Sequence, residues 1–177
     1  MDPKSHLIPV GDLKPQIGAD NFFAPGSFLV GKVSTGENCS FWFNSVVRGD
    51  VNEIKIGDRV NVQDGAVIHC TYKKASTIIG SDVSIGHNAI VHGCQVSDMV
   101  LIGMGATVMD DVKIGKGSII AAGAVVLAGT IIPENTIWAG VPAKQVKESS
   151  DLELMKRTSQ NYQKYSKWFT GEDAPDW

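Results

Sequence analysis

A chain of 177 residues is long enough to enclose one continuous core. Its formal charge of −3 offers nothing to neutralise a run of phosphates, which argues against nucleic acid as a partner. No apolar stretch is long enough for a transmembrane helix, and Met1-Asp2-Pro3-Lys4-Ser5-His6 lacks the basic-then-apolar order of a secretory signal. Cys39, Cys70 and Cys94 are odd in number and far apart, so they read as free thiols of a reducing compartment. The expected location is therefore the cytoplasm, without membrane attachment.

Taken in chain order, Phe22-Phe23-Ala24-Pro25 and Val30-Gly31-Lys32-Val33 read as a first, irregular turn of structure. A ladder of apolar anchors then runs every six residues through Ile56, Val62 and Ile68. It breaks at 70–78, where Thr71-Tyr72-Lys73-Lys74-Ala75-Ser76 reads as a loop, and resumes at Ile79, Ile85 and Val91. A five-residue unit, Val91 to Gln95, shifts the phase once more. Thereafter Val96, Ile102, Val108, Ile114, Ile120, Val126 and Ile132 keep strict six-residue steps, and the next step lands on Trp138. The fifth position of each unit is small or β-branched: Val100, Ala106, Val112, Ser118, Ala124, Thr130, Thr136. Glycine often follows the anchor, as in Ile102-Gly103 and Ile114-Gly115, where its tolerance of positive φ suits a corner. After Pro142 the pattern stops. Ser150-Asp151-Leu152-Glu153 reads as a capping box. Leu152, Met155, Ser159, Tyr162, Ser166 and Phe169 follow at helical spacing, predicting an amphipathic helix over about 150–169. The tail from Thr170 is polar and reads as loose.

A period of six matches neither an α-helix nor a simple strand alternation. It matches short strands joined by tight corners, three faces closing a coil of about 18 residues, with coils stacked as parallel strands about 4.8 Å apart. A sandwich of unrelated short strands would not hold one phase across seven anchors. The expected fold is all-β: a parallel β-helix over 1–147, with the C-terminal helix and tail, 148–177, packed on it.

Three of the four histidines, His69, His87 and His92, fall within 24 positions. His69 and His87 are 18 residues apart, so if the loop merely replaces a face they share a face one layer apart. Each lies next to or near an anchor, where side chains tend to point outward. A lone histidine there would be a solvated or interface residue. Three imidazoles with an open fourth position are instead the donor set of catalytic zinc, and neutral imidazole also suits Fe2+ or Co2+.

Arg48-Gly49-Asp50, Asn61-Val62-Gln63-Asp64-Gly65, Ile68-His69 and Ile85-Gly86-His87-Asn88-Ala89-Ile90-Val91-His92-Gly93-Cys94 together resemble the γ-class carbonic anhydrase family of the hexapeptide-repeat superfamily. The likeness covers residues 10 to about 145. Trp138-Ala139-Gly140-Val141-Pro142-Ala143-Lys144 resembles the exit signature of that superfamily. The resemblance implies a left-handed β-helix assembled as a homotrimer, and a Zn2+ ion (alternatively Fe2+ or Co2+) bound at each subunit interface. His69 and His92 would come from one subunit and His87 from the next. It implies a lyase: reversible hydration of carbon dioxide to bicarbonate by hydroxide generated at the metal. Arg48 would pair with Asp50, and with Asp64 across the interface. Gln63 would orient the reacting oxygen and Asn61 would bind substrate or product. Tyr162 matches a tyrosine that approaches the metal, although core packing is its commoner role.

The chain departs from the family where the proton leaves. Val51 and the acid-free loop Cys70-Thr71-Tyr72-Lys73-Lys74 occupy places where well-studied members carry glutamates. Glu53 is a substitute on sequence proximity alone. Two other functions stay open. One is an acyl-coenzyme A transferase or thioesterase with one histidine as general base; the other is a catalytically weak scaffold.

Overall fold

The computed structural model describes residues 6–148 and 151–175. The six-residue period folds as expected, into a left-handed parallel β-helix of about seven turns. The anchors Val62, Ile68, Ile85, Val91, Ile102, Val108, Ile120 and Val126 stack inside it, each essentially without solvent exposure. Three flat faces result. One is an eight-stranded sheet running from Phe22–Phe23 to Thr136–Ala139, closed by Lys144–Glu148. The other two belong to an eleven-stranded sheet that bends from face to face through the long strand Val46–Ile56. All pairings between coils are parallel; Lys144–Glu148 turns back antiparallel and covers the last coil. At the other end Leu7–Ile8 adds a short strand beside Leu29 and Val30, ahead of the first turn expected from the sequence.

The glycine reading needs correction. Gly103 and Gly115, which follow anchors, do not have positive φ. They are glycine because a Cβ there would stand 2.5 Å from a backbone nitrogen of the next coil, Ala122 above Gly103 and Glu134 above Gly115. The left-handed corner residues lie two positions further on: Asn88, Gly105 and Gly123 form one such column, with φ of 57°, 66° and 68°. Asparagine replaces glycine there because its short polar side chain tolerates this conformation.

The C-terminal helix, α1, spans Leu152–Thr170. Its cap is Asp151, whose carboxylate accepts from the Leu154 amide at 3.0 Å; Ser150, the expected start of a capping box, lies outside the described residues. Gly171 ends the helix in a left-handed conformation. Helix α1 lies on the outer side of the eight-stranded sheet. Met155 is buried, and Ser159 Oγ donates to the Arg59 carbonyl at 2.9 Å. Tyr162 stands edge-on to Trp42, and Phe169 joins Phe22, Trp42 and Phe43.

Candidate metal centre

The histidines are placed by register. Strand Val67–His69 pairs in parallel with Ile90–His92, so that Ile68 faces Val91 and His69 faces His92. Ile68 and Val91 point into the core, and the pleat therefore turns both imidazoles outward. This corrects the spacing argument. The loop at 70–76 is an insertion, not a replacement for a face, so the layer above His69 carries His92. His87 sits at the corner after strand Ser84–Ile85.

His69 Nδ1 and His92 Nε2 face each other at 3.1 Å. Behind each ring stands a carboxylate. His69 Nε2 lies 3.1 Å from Asp50 Oδ1, and Arg48 Nη1 donates to the other Asp50 oxygen at 2.5 Å. His92 Nδ1 lies 2.5 Å from Asp110 Oδ1, and Thr71 Oγ1 donates to Asp110 Oδ2 at 2.5 Å. Burial pushes the Asp50 carboxyl up, but the hydrogen bonds from Arg48 and His69 outweigh it and hold it below its ordinary range. The same balance, with Thr71 and His92 as donors, holds Asp110 down. Burial is the largest influence on His69 and pushes it down, with Arg48 adding to this against Asp50. The His69 ring is therefore neutral at neutral pH, the form that can ligate a metal.

Proton counting shows what this row of groups lacks. Ionised carboxylates only accept, so each outer contact requires an N–H on the ring. With one proton on each ring, both protons are spent on the carboxylates. The inner nitrogens then face each other as lone pairs, an arrangement that a shared cation satisfies. Two nitrogens on one tetrahedral zinc, at Zn–N of about 2.0–2.1 Å, are about 3.3 Å apart. The observed separation fits that donor set.

His87 is apart from this pair, at the exposed corner, with Nδ1 2.9 Å from Asp64 Oδ2. Arg48 has Asp50 as its ion-pair partner within the chain. Among the described residues, no three His, Cys, Asp or Glu side chains converge to hold a metal. The structure thus divides the sequence-identified residues in two. His69, His92, Arg48 and Asp50 share one flat face. His87, Asp64, Gln63 and Asn61 surround an adjoining corner. Gln63 Nε2 donates to Asn61 Oδ1 at 2.9 Å, and Asn61 Nδ2 to Ser84 Oγ at 2.7 Å; all three are buried. Tyr162 lies close enough to feel Asp64. Burial first, then the Asp64 charge, pushes its phenol up to about 12.

Glu53 is committed elsewhere. Lys32 and Lys55 approach its carboxylate at 3.1 and 3.2 Å and hold it below the ordinary glutamate range. Val51 packs against the core. The residues missed in the sequence are Asp110 and Thr71. Asp110 lies 18 residues after His92, but the coil there is 17 residues, so Met109 takes the place above His92 and Asp110 stands above Gly93.

The model of the family "Bacterial transferase hexapeptide (six repeats)" matches residues 93–128. The chain is 38% identical over 163 residues to gamma carbonic anhydrase 2, mitochondrial, of Arabidopsis thaliana, an alignment covering 88% of this chain and 59% of that one. The chain thus spans less than two thirds of that relative's length. It is 39% identical to a carbonic anhydrase of Geobacillus kaustophilus, covering 88% of this chain and 86% of that one. The crystal structure of a hexapeptide transferase family protein from Anaplasma phagocytophilum superposes with a TM-score of 0.89 at 33% identity, covering 94% and 99% of the two chains. With its repeat fold, its outward histidine pair and relatives matched over most of their length, the chain belongs to the γ-class carbonic anhydrase-like family of the hexapeptide-repeat superfamily.

Proposed function

We propose that this protein is a metal-dependent carbonic anhydrase-like enzyme that interconverts carbon dioxide and bicarbonate at the subunit interfaces of a homotrimer. The observation that carries this reading is that His69, His87 and His92 each have a carboxylate on one ring nitrogen, and that the free nitrogens of His69 and His92 stand at chelating distance. Backing a ligand histidine with a carboxylate fixes its tautomer and raises its basicity. Zn2+, Fe2+ or Co2+ fits this donor set. His69 and His92 hold it from one subunit, and His87 of the partner subunit completes the set. When bound, the metal supplies the Lewis acidity that brings the pKa of a coordinated water to about 7.

The remaining steps belong to side chains. Gln63, fixed by Asn61, offers an amide to orient the reacting oxygen, and Asn61 lies beside it for the substrate. Arg48 holds Asp50 against His69 and reaches for Asp64 of the partner subunit. Tyr162 keeps its proton at neutral pH, so it can hydrogen-bond or pack but cannot serve as a phenolate base. Hydration of carbon dioxide releases one proton, and neither Val51 nor Glu53 offers a free carboxylate to carry it. The proton leaves through buffer.

The test is metal content of untagged protein together with stopped-flow hydration. The expected result is about one metal per subunit and a hydration rate that rises with imidazole buffer concentration and disappears in His87→Ala. Protein that is metal-free as purified and stays metal-free after incubation with Zn2+, Fe2+ and Co2+ overturns the reading.

One observation favours a second reading. The structural likeness to a hexapeptide transferase, with the His87–Asp64 pair as an oriented general base, suits an acyl-coenzyme A transferase or thioesterase. Turnover of coenzyme A thioesters that persists in chelator would favour it.

A further inference from the structure

Asp110 is absent from the motifs that mark the family in this sequence, yet its carboxylate makes two of the shortest side-chain contacts in the region. One oxygen lies 2.5 Å from His92 Nδ1, and the other accepts from Thr71 Oγ1 at 2.5 Å. Three further features favour this arrangement. Gly93 lacks the Cβ that would stand 2.3 Å from Asp110 Oδ1 and 2.9 Å from Ala75 Cβ, so the carboxylate has room to reach back to the coil below. Continuing the Val91–Val108 register places Asp110 one coil above Gly93, the residue after His92, so its carboxylate has to reach back by only one position. The loop that supplies Thr71 is closed by a Thr71–Ala75 bridge and tied to the next coil by Lys74–Asp111 at 3.6 Å.

We propose that Asp110 is a positioning residue that locks the His92 tautomer, and that the inserted loop sets Asp110 through Thr71. The proposal rests on the metal reading above and adds a control element to it. A carboxylate accepts and cannot donate, so His92 Nδ1 must carry the proton and Nε2 keeps its lone pair. Free imidazole side chains in water favour the opposite tautomer, with the proton on Nε2. Without Asp110, His92 would present an N–H to the place where a ligand nitrogen is needed. The insertion between Val67–His69 and Thr77–Ile79 thus has a job in this chain, although it carries no acid: its hydroxyl holds the carboxylate that holds the ligand.

Two measurements on the full-length protein test this. The first reads the His92 tautomer by long-range 1H–15N correlation on histidine-labelled, metal-free protein, with Gln substituted for His92 to assign the signal. His92 should be Nδ1-protonated in the parent and in Asp110→Asn, whose amide oxygen still accepts. It should move to the Nε2-protonated form in Asp110→Ala. The second reads zinc affinity by competition with a chelator, where Asp110→Ala should bind about 10- to 100-fold more weakly. Asp110→Asn should lose less, and Thr71→Val should fall between the parent and Asp110→Ala. A His92 tautomer that is the same in parent and Asp110→Ala overturns the proposal, as does an altered tautomer with unchanged affinity. If the parent binds no metal while the tautomer still switches, the positioning role stands and the metal reading fails. If the parent binds metal and Asp110→Ala changes neither measurement, the reverse holds.

Discussion

At the scale of single residues, two kinds of glycine do different work in each coil. Gly103 packs against the backbone of the next coil, where a Cβ would meet Ala122 N at 2.5 Å and Ala121 C at 2.7 Å. Gly105 faces open space but has φ of 66°. Its replacement by alanine costs only backbone strain, about 1 kcal/mol. Gly103→Ala must push two coils apart, an overpacking cost of about 3 kcal/mol. Urea denaturation of the two variants should separate them by that order; equal midpoints would show that coil contact does not explain the glycine after the anchor. Asn88 sits in the same corner column as Gly105, so Gly105→Asn should cost less than Gly105→Ala.

At the scale of elements, helix α1 ties the corner that bears His87 to the first coils, and Tyr162 reports its docking. Its phenol is pushed up to about 12 because the helix buries it beside Asp64. A phenol raised in the folded state stabilises the docked helix fully below the unfolded pKa of about 10. That stability is lost as pH climbs from there through about 12. An alkaline titration followed at tyrosine absorbance should show one phenol ionising near 12, missing in Tyr162→Phe. A titration in which all phenols ionise near 10 would mean that the helix is undocked in solution.

The same elements show how much could be read in advance. The anchors, both phase slips and the helix were legible because each is a local regularity: a step of six, its interruption, a step of three or four. The pairing of His69 with His92 was not, because a loop that replaces a face and a loop inserted beside one leave the same gap in the ladder. Only the register, His69 opposite His92, distinguishes them. Asp110 was hidden for a related reason. Its role depends on standing one coil above Gly93 and on that glycine's missing Cβ, and neither has a motif of its own.

At the scale of the whole molecule, the proposed division of the ligands between a face and a corner predicts an assembly. The column carrying His69 and His92 continues through Met109 and Leu127, which are 40% and 50% exposed, with Ile90 beside it at 42%. An apolar strip of this kind next to the proposed ligand pair fits a second protein surface. Light scattering should give three times the 18.9 kDa chain mass. A sharper test uses complementation. His87→Ala and His92→Ala homotrimers should each bind no metal at the shared site. When the two variants are co-expressed, every mixed trimer contains one interface where intact His69 and His92 of one subunit meet intact His87 of the next. Metal and activity should reappear in the mixed fraction, separated by two affinity tags that are then cleaved, at one site in three. If the mixed fraction stays empty while the native homotrimer is loaded, the three histidines act within one subunit, and the fold would have to bring His87 to the His69–His92 face by a motion this arrangement does not suggest.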